Sequence, residues 1–190
     1  VEVGWIDAAT NEPGFVIWRH TLNTFGGATA IGTNAADDTS YDDAAASPGI
    51  QYYYWVTATN ALGSSPRSEP DTGFRRVVAP TDAAATDGTS IDHVEITWTG
   101  SDGATSYRVY RDVDADPAGA ADLGVLTSPA TDTTAVPGQQ YHYWIMAIAA
   151  SSSSTSDRSS ADTGYRKLAE VASLTASFDL YSDRVADRKS

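Results

Sequence analysis

Three aspartates at alternate positions are the residues of this chain best suited to holding a metal ion. Asp112, Asp114 and Asp116 follow a strand-like segment in a D-x-D-x-D pattern. Carboxylate oxygens are the ligands that calcium prefers, and such a run opens the EF-hand loop. That loop also needs glycine at its sixth position and glutamate at its twelfth, where this chain has Pro117 and Leu123. The pattern therefore favours a solvated loop, with calcium as the alternative, and no other cofactor is indicated.

The side chains that most often carry catalysis do not form a recognisable motif. His20, His93 and His142 fall on different predicted elements, and none has a metal-ligand spacing such as H-E-x-x-H. The chain has no G-x-S-x-G elbow for a nucleophilic serine. It also lacks cysteine, which excludes disulfides, thiol catalysis and thiolate metal sites. The sequence therefore predicts a protein that is not an enzyme.

Four aromatic side chains could form a flat binding surface. Trp55 and Trp144 stand one residue out of phase with tyrosines expected to point into a core, and Trp18 and Tyr110 lie on the neighbouring strand, which gives one aromatic pair in each repeat. Strand alternation predicts that they face outward, where aromatic patches often mark glycan or protein contacts. The alternative is ordinary cross-strand packing beneath arginine stems, which the sequence favours over glycan binding. Because the pair occurs twice, a contact between subunits is also favoured over glycan binding.

The composition restricts the partners of this chain of 190 residues. Its formal net charge is −13. Nucleic acids and anionic membrane surfaces bind clustered lysine and arginine, so neither is an expected partner. No apolar run is long enough to cross a membrane as a helix, so membrane insertion is not expected either. Abundant valine, threonine and tyrosine, separated by glycine- and aspartate-rich turns, favour strands.

An internal repeat organises the chain. Residues 48–58 recur 89 positions later as residues 137–147, and both copies begin with Pro-Gly and contain Tyr-x-Tyr-Trp. Residues 1–5 recur 93 positions later as residues 94–98. The period is therefore about 91 residues, a usual size for a seven-stranded β-sandwich.

The phase of the repeat predicts three segments. Residues 1–77 form a repeat that lacks its first strand, and residues 78–167 form a complete repeat. Residues 168–190 contain a further first strand, because residues 85–94 recur as residues 176–185. No segment has a helical period, so the predicted fold is all-β, with tandem sandwiches.

The residues shared by the two repeats resemble those of fibronectin type III domains, which are immunoglobulin-like β-sandwiches. The shared features are a tryptophan in the second strand, an aromatic-x-aliphatic third strand and Pro-Gly-x-x-Tyr before the sixth strand. The resemblance implies core-structural roles for four residues: Trp5, Trp98, Tyr52 and Tyr141. It also implies that the two tyrosines form corners, in which the hydroxyl bonds back to the main chain.

The resemblance implies a structural or adhesive role outside the cell or at its surface. We expect a bacterial extracellular fibre, filament or stalk component, whose partners are copies of itself or neighbouring repeats. The alternative is a carbohydrate-binding or spacer module of a secreted enzyme, with glycans as partners. Fold alone does not decide between them.

The missing and the surplus first strands suggest how copies could associate. A sandwich without its edge strand exposes unpaired backbone, which a strand from another chain could cover. The candidate donated strand carries four apolar residues: Val171, Leu174, Phe178 and Val185. Head-to-tail donation of this kind does not close and forms filaments. The alternative is that these residues are a window on a longer tandem array.

Overall fold

The computed structural model describes residues 1–8, 10–150 and 154–176, and every regular element in them is a β-strand. The predicted all-β class is confirmed. No helix in this described part of the chain has the length and hydropathy needed to span a membrane. Two of the predicted donor residues, Phe178 and Val185, lie outside the described residues.

The strands fall into two sets that follow each other along the chain. The first repeat contains β1 (Glu2–Gly4), β2 (Gly14–His20), β3 (Thr29–Ala35), β4 (Ser40–Asp42), β5 (Gln51–Asn60), β6 (Gly63–Ser64) and β7 (Asp71–Phe74). The second repeat contains β8 (Thr81–Ala85), β9 (Val94–Thr99), β10 (Ala104–Asp112), β11 (Ala121–Leu126), β12 (Ala130–Asp132), β13 (Tyr141–Ala149), β14 (Thr155–Arg158) and β15 (Asp162–Gly164).

Each repeat has one large and one small antiparallel sheet. The large sheets have the orders β3-β2-β5-β6 and β11-β10-β13-β14, and the last strands, β7 and β15, pair with β5 and β13. The small sheet of the second repeat has the order β12-β9-β8, whereas that of the first repeat, in the described residues, contains β1 and β4 alone. Within the residues that the structure describes, no strand that corresponds to β8 lies beside β1.

Aromatic and branched residues make β5 and β13 the central strands. Both strands are buried on both faces over their middle residues, because one face meets the core and the other carries aromatic cross-strand pairs. In the first repeat Trp18 lies opposite Trp55, and in the second Tyr110 lies opposite Trp144. Such residues favour strands because their bulk packs well on a pleated surface.

A separate hydrophobic core lies between the two sheets of each repeat. The first core is centred on Phe15, Ile17, Tyr52, Tyr54 and Val56, with Trp5 packed against it and half-buried. The second core is centred on Val94, Ile96, Trp98, Val109, Tyr141, Tyr143 and Ile145. The four residues expected to support the cores thus lie in or against them.

The two repeats meet through a close backbone contact. A Cβ atom built on Gly103 would lie 2.1 Å from the carbonyl oxygen of Pro48, and the φ angle of Gly103 is +76°. Both observations explain the glycine, since other residues have a Cβ and rarely adopt such an angle. Val77 is buried beside Ala147 and Ala149 at the same joint.

Candidate functional site: an open groove along β1

A groove runs along the edge of β1 that faces away from β4. Its volume is about 450 Å³. One side is formed by residues 1–6 and the other by side chains of β5, β7 and the segment before β7: Tyr54, Val56, Ser68, Glu69, Asp71 and Thr72. The groove therefore reaches from an unpaired strand edge to the core of the first repeat.

In the second repeat β8 occupies the corresponding position. It pairs antiparallel with β9, and Ala83 and Ala85 pack against the core. The amide of Ala85 donates a 2.8 Å hydrogen bond to Oδ2 of Asp162 in β15. The second repeat thus shows what a first strand contributes: main-chain pairing, apolar cover and one bond to the last strand.

The first repeat has the same surroundings without the strand. Asp71, which corresponds to Asp162, accepts a 2.8 Å hydrogen bond from its neighbour Thr72. The edge of β1 has no strand beside it in the described residues. An unpaired edge next to an apolar groove is a ready template for another extended segment.

The C-terminal segment that was predicted to supply such a strand is exposed. Residues 168–176 form no strand. Leu168, Val171 and Leu174 expose 65%, 87% and 91% of their surface. The role of this segment as a donor stays a prediction, but its apolar side chains are accessible.

A buried arginine, aspartate and tyrosine form a network in the first repeat. The side chain of Asp43 is 2% exposed, and its Oδ2 atom accepts bonds from Arg19 at 2.7 Å and from the Tyr54 hydroxyl at 3.0 Å. The Arg19 guanidinium lies over the Tyr52 ring, 4.4 Å from its centroid. Burial, followed by the hydrogen bond to Asp43, raises the pKa of Tyr54 well above its ordinary value. This network ties β2 and β5 to Asp43, the residue that follows β4.

The second repeat contains the same network. Asp132 pairs with Arg111 and accepts a 3.0 Å bond from the Tyr143 hydroxyl, while Thr134 donates from its amide and hydroxyl. Burial alone would raise the pKa of Asp132, but the hydrogen bonds from Thr134 and Arg111 lower it below its ordinary value. Burial and the charge of Asp132 raise the pKa of Tyr143. Since the carboxylates are paired and enclosed, the two networks are structural.

Sequence reasoning missed these networks, although the repeat carried a signal for them. Arg19 matches Arg111, Asp43 matches Asp132, and the two tyrosines match as well. Charged residues are seldom part of a core. Charged residues that recur in both repeats together with the core tyrosines were therefore the signal that they belong to the core.

The predicted tyrosine corner is weak at Tyr141. In the second repeat the amide of Val136 lies 3.5 Å from the Tyr141 hydroxyl, a long hydrogen bond. The hydroxyls of Tyr54 and Tyr143, two positions further on, instead bond the buried carboxylates. The stronger tyrosine anchors are therefore these two residues.

The outward aromatic pairs are covered rather than open. Trp55 is 2% exposed and Trp144 is 4% exposed. Phe25 packs edge-on against Trp55, and Arg67 lies over the Phe25 ring at 5.0 Å. In the second repeat Arg158 lies 4.0 Å from the centroid of the Tyr110 ring. A glycan could stack on Trp55 only after displacing Phe25, and the Trp144 indole is itself buried. A ligand role for the four aromatics stays a prediction.

The aspartates of the candidate calcium loop bond their own backbone. Asp112 accepts from the amide of Val113 at 2.7 Å, and Asp116 accepts from that of Ala118 at 2.9 Å. With Asp114, they are not brought together as a three-carboxylate cluster. In the part of the chain that the structure describes, such a cluster is formed instead by acidic residues of the first repeat: Asp7, Glu12 and Asp37. Calcium binding by the loop stays a prediction.

Comparison with known proteins shows the fold. No protein-family model and no curated protein matches the chain. A segment of two fibronectin type III domains from chicken tenascin matches with a TM-score of 0.61 and 17% identity, over 85% of this chain and 89% of that one. The fold is therefore a fibronectin type III-like β-sandwich.

Two further solved structures show weaker likeness. The chicken CNTN1 FN1-FN3 domains have a TM-score of 0.42 and 16% identity, over 88% of this chain. The match spans 62% of that structure, so this chain covers less than two thirds of its length. A Fn3-like protein from Clostridium thermocellum has a TM-score of 0.42 and 26% identity, over 50% of this chain and 98% of its own.

Proposed function

We propose that this chain is a structural or adhesive module of an extracellular bacterial fibre, filament or stalk. The observation that carries the proposal is the tandem of two fibronectin type III-like sandwiches, each with its own core, which meet at a close contact between Gly103 and Pro48. Proteins with this fold are commonly structural or adhesive, which agrees with the absence of a catalytic motif.

The same proposal includes head-to-tail assembly. The groove lies on the first repeat, and the exposed segment with Val171 and Leu174 follows the second repeat. A contact between two different surfaces of identical chains is heterologous and extends without closing. Donation of the C-terminal strand would therefore produce filaments.

Electron microscopy and analytical ultracentrifugation of the 190-residue chain test this function. We expect filaments with an axial repeat of two sandwiches, and species that grow with protein concentration. The matched control is a chain ending at Lys167, which keeps both repeats and lacks the donor segment. A full chain that remains monomeric and folded at high concentration would overturn head-to-tail assembly.

A further inference from the structure

The segment that joins the two repeats is attached to both of them within three residues. On the side of the first repeat, the carbonyl oxygen of Arg75 accepts a 2.8 Å hydrogen bond from the amide of Gly49, and Arg75 forms a parallel bridge with Pro48. Two residues later, Val77 is 3% exposed and packs against β13 of the second repeat. The chain therefore passes from one sandwich to the other with Arg76 alone between the two attachments.

Val77 is a core residue of the second repeat, although it precedes the first strand of that repeat. It forms a buried group with Ala147 and Ala149, and Ala104 and Tyr107 pack against this group. The four other members belong to β10 and β13. The linker thus supplies a side chain that closes the end of the second sandwich.

Two glycines let the two sandwiches touch through their backbones. A Cβ atom built on Gly49 would lie 2.6 Å from the Cβ atom of Ala149 and 2.7 Å from the carbonyl oxygen of Gly103. The φ angles of Gly49 and Gly103 are +74° and +76°, which side chains other than glycine rarely permit. Because atoms of the two repeats are already in contact there, the sandwiches have no gap into which they could tilt.

Arg76 attaches the linker to another strand of the second repeat. Its guanidinium donates a 3.1 Å hydrogen bond to the carbonyl oxygen of Thr155 and pairs with the carboxylate of Asp157 at 3.2 Å. Both partners lie on β14, whereas Val77 packs against β13. The exposed ion pair contributes little to stability. Its effect is to hold the linker at a second strand, which opposes twisting about the joint.

We infer that the joint makes the two repeats one rigid body with a fixed angle, and that Val77 stabilises the second repeat from outside its strands. Domains joined in one chain ordinarily move relative to each other unless the contact between them is large and apolar. Here the contact is apolar and close, and consecutive linker residues are attached to opposite sides of it. The inference goes beyond the proposed function and does not depend on assembly of copies. In a fibre or stalk, such a joint would act as a fixed bend and not as a hinge.

Time-resolved fluorescence energy transfer at nanomolar concentration tests the rigid joint. The chain has no native cysteine, so the double variant Leu22→Cys/Val113→Cys places one dye on each repeat, at side chains that are 61% and 51% exposed. We expect a single narrow distribution of distances between the dyes. The comparison variant carries Gly-Ser-Gly-Ser inserted between Arg75 and Arg76, which keeps every contact residue and makes the linker flexible. Its distribution should be broader, and an equally broad distribution in the chain without the insertion would overturn the rigid joint.

Urea unfolding of the full chain tests the role of Val77. Val77→Ala removes two methyl groups from a buried site, so the equilibrium constant for unfolding of the second repeat should rise by about tenfold or more. The matched control is Val78→Ala, since Val78 is 66% exposed, and it should change that constant by no more than about twofold. Equal effects of the two substitutions, or an effect of Val77→Ala confined to the first repeat, would overturn the assignment of Val77 to the second core.

Discussion

Replacing Asp132 by asparagine tests whether the buried network stabilises the second repeat. The substitution keeps the shape of the side chain and removes its charge. The side chain of Asp132 is 2% exposed, and its partner Arg111 has 16% of its side chain exposed. The change therefore leaves a guanidinium with little access to water and no counterion, and it weakens the bond from the Tyr143 hydroxyl.

The expected loss of stability is large because only one partner is removed. Breaking a buried ion pair in this way costs about 3 to 5 kcal/mol, since the remaining charge stays desolvated. Because asparagine still offers one acceptor oxygen, we expect about 3 kcal/mol. The matched control is Asp157→Asn, since the side chains of Asp157 and Arg76 are 88% and 60% exposed. An exposed pair of this kind contributes at most about 1 kcal/mol.

Urea unfolding followed by tryptophan fluorescence measures both variants. The transition that Asp132→Asn shifts belongs to the second repeat, and Asp43→Asn should shift the transition of the first. A loss for Asp132→Asn no greater than that of Asp157→Asn would refute the conclusion that the network supports the core.

Three other perturbations have defined outcomes. The folded-state pKa of Tyr143 is raised, so the contribution of this side chain to the free energy of unfolding is complete below about pH 10. Above that pH the contribution falls by about 1.4 kcal/mol per pH unit. Tyr143→Phe should therefore flatten the alkaline fall of the free energy of unfolding, and an unchanged slope would contradict this. Trp144→Ala should lower the free energy of unfolding in urea by about 3 to 5 kcal/mol, because the indole is buried. If Trp144 instead belonged to an open glycan-binding surface, the variant would lose glycan binding with little loss of stability. Gly103→Ala should change the angle between the repeats in small-angle X-ray scattering, because its Cβ would meet Pro48. The control is Gly119→Ala. Gly119 has a φ angle of +87° and open space around it, so this substitution should leave the scattering unchanged.

The repeat pattern predicted much of the fold because strand positions depend on local features. The alternation in Val94-Glu95-Ile96-Thr97-Trp98 and the aromatic run in β13 are periodic and recur in both halves. Face assignment also follows from alternation, and Trp144 does lie on the face opposite Tyr143. Alternation does not predict which side chains from other strands cover the outward aromatic residues. Arg158 over Tyr110 comes from a different strand, so the burial of this face depends on tertiary structure.

The candidate site shows the same division between local and long-range information. The phase of the repeat predicts that residues 1–77 begin at a second strand, and the groove lies beside that strand, β1. The buried networks depend on three strands meeting around Asp43 or Asp132, which no local pattern specifies. A lone aspartate after a short strand is indistinguishable in sequence from a solvated turn residue until Arg19 or Arg111 is placed beside it.

If copies assembled head-to-tail as proposed, the joint between two copies could not repeat the joint within one chain. Inside the chain, Gly103 approaches Pro48 so closely that a Cβ would lie 2.1 Å from its carbonyl oxygen. The first repeat has Asn11 at the position of Gly103, and the second repeat has Pro137 at that of Pro48. Asparagine has the Cβ that this approach excludes, so the two backbones must stay further apart at an intermolecular joint. Strand donation would therefore fix the register between copies while the angle between them differs from the internal one, and a filament would alternate between two kinds of joint.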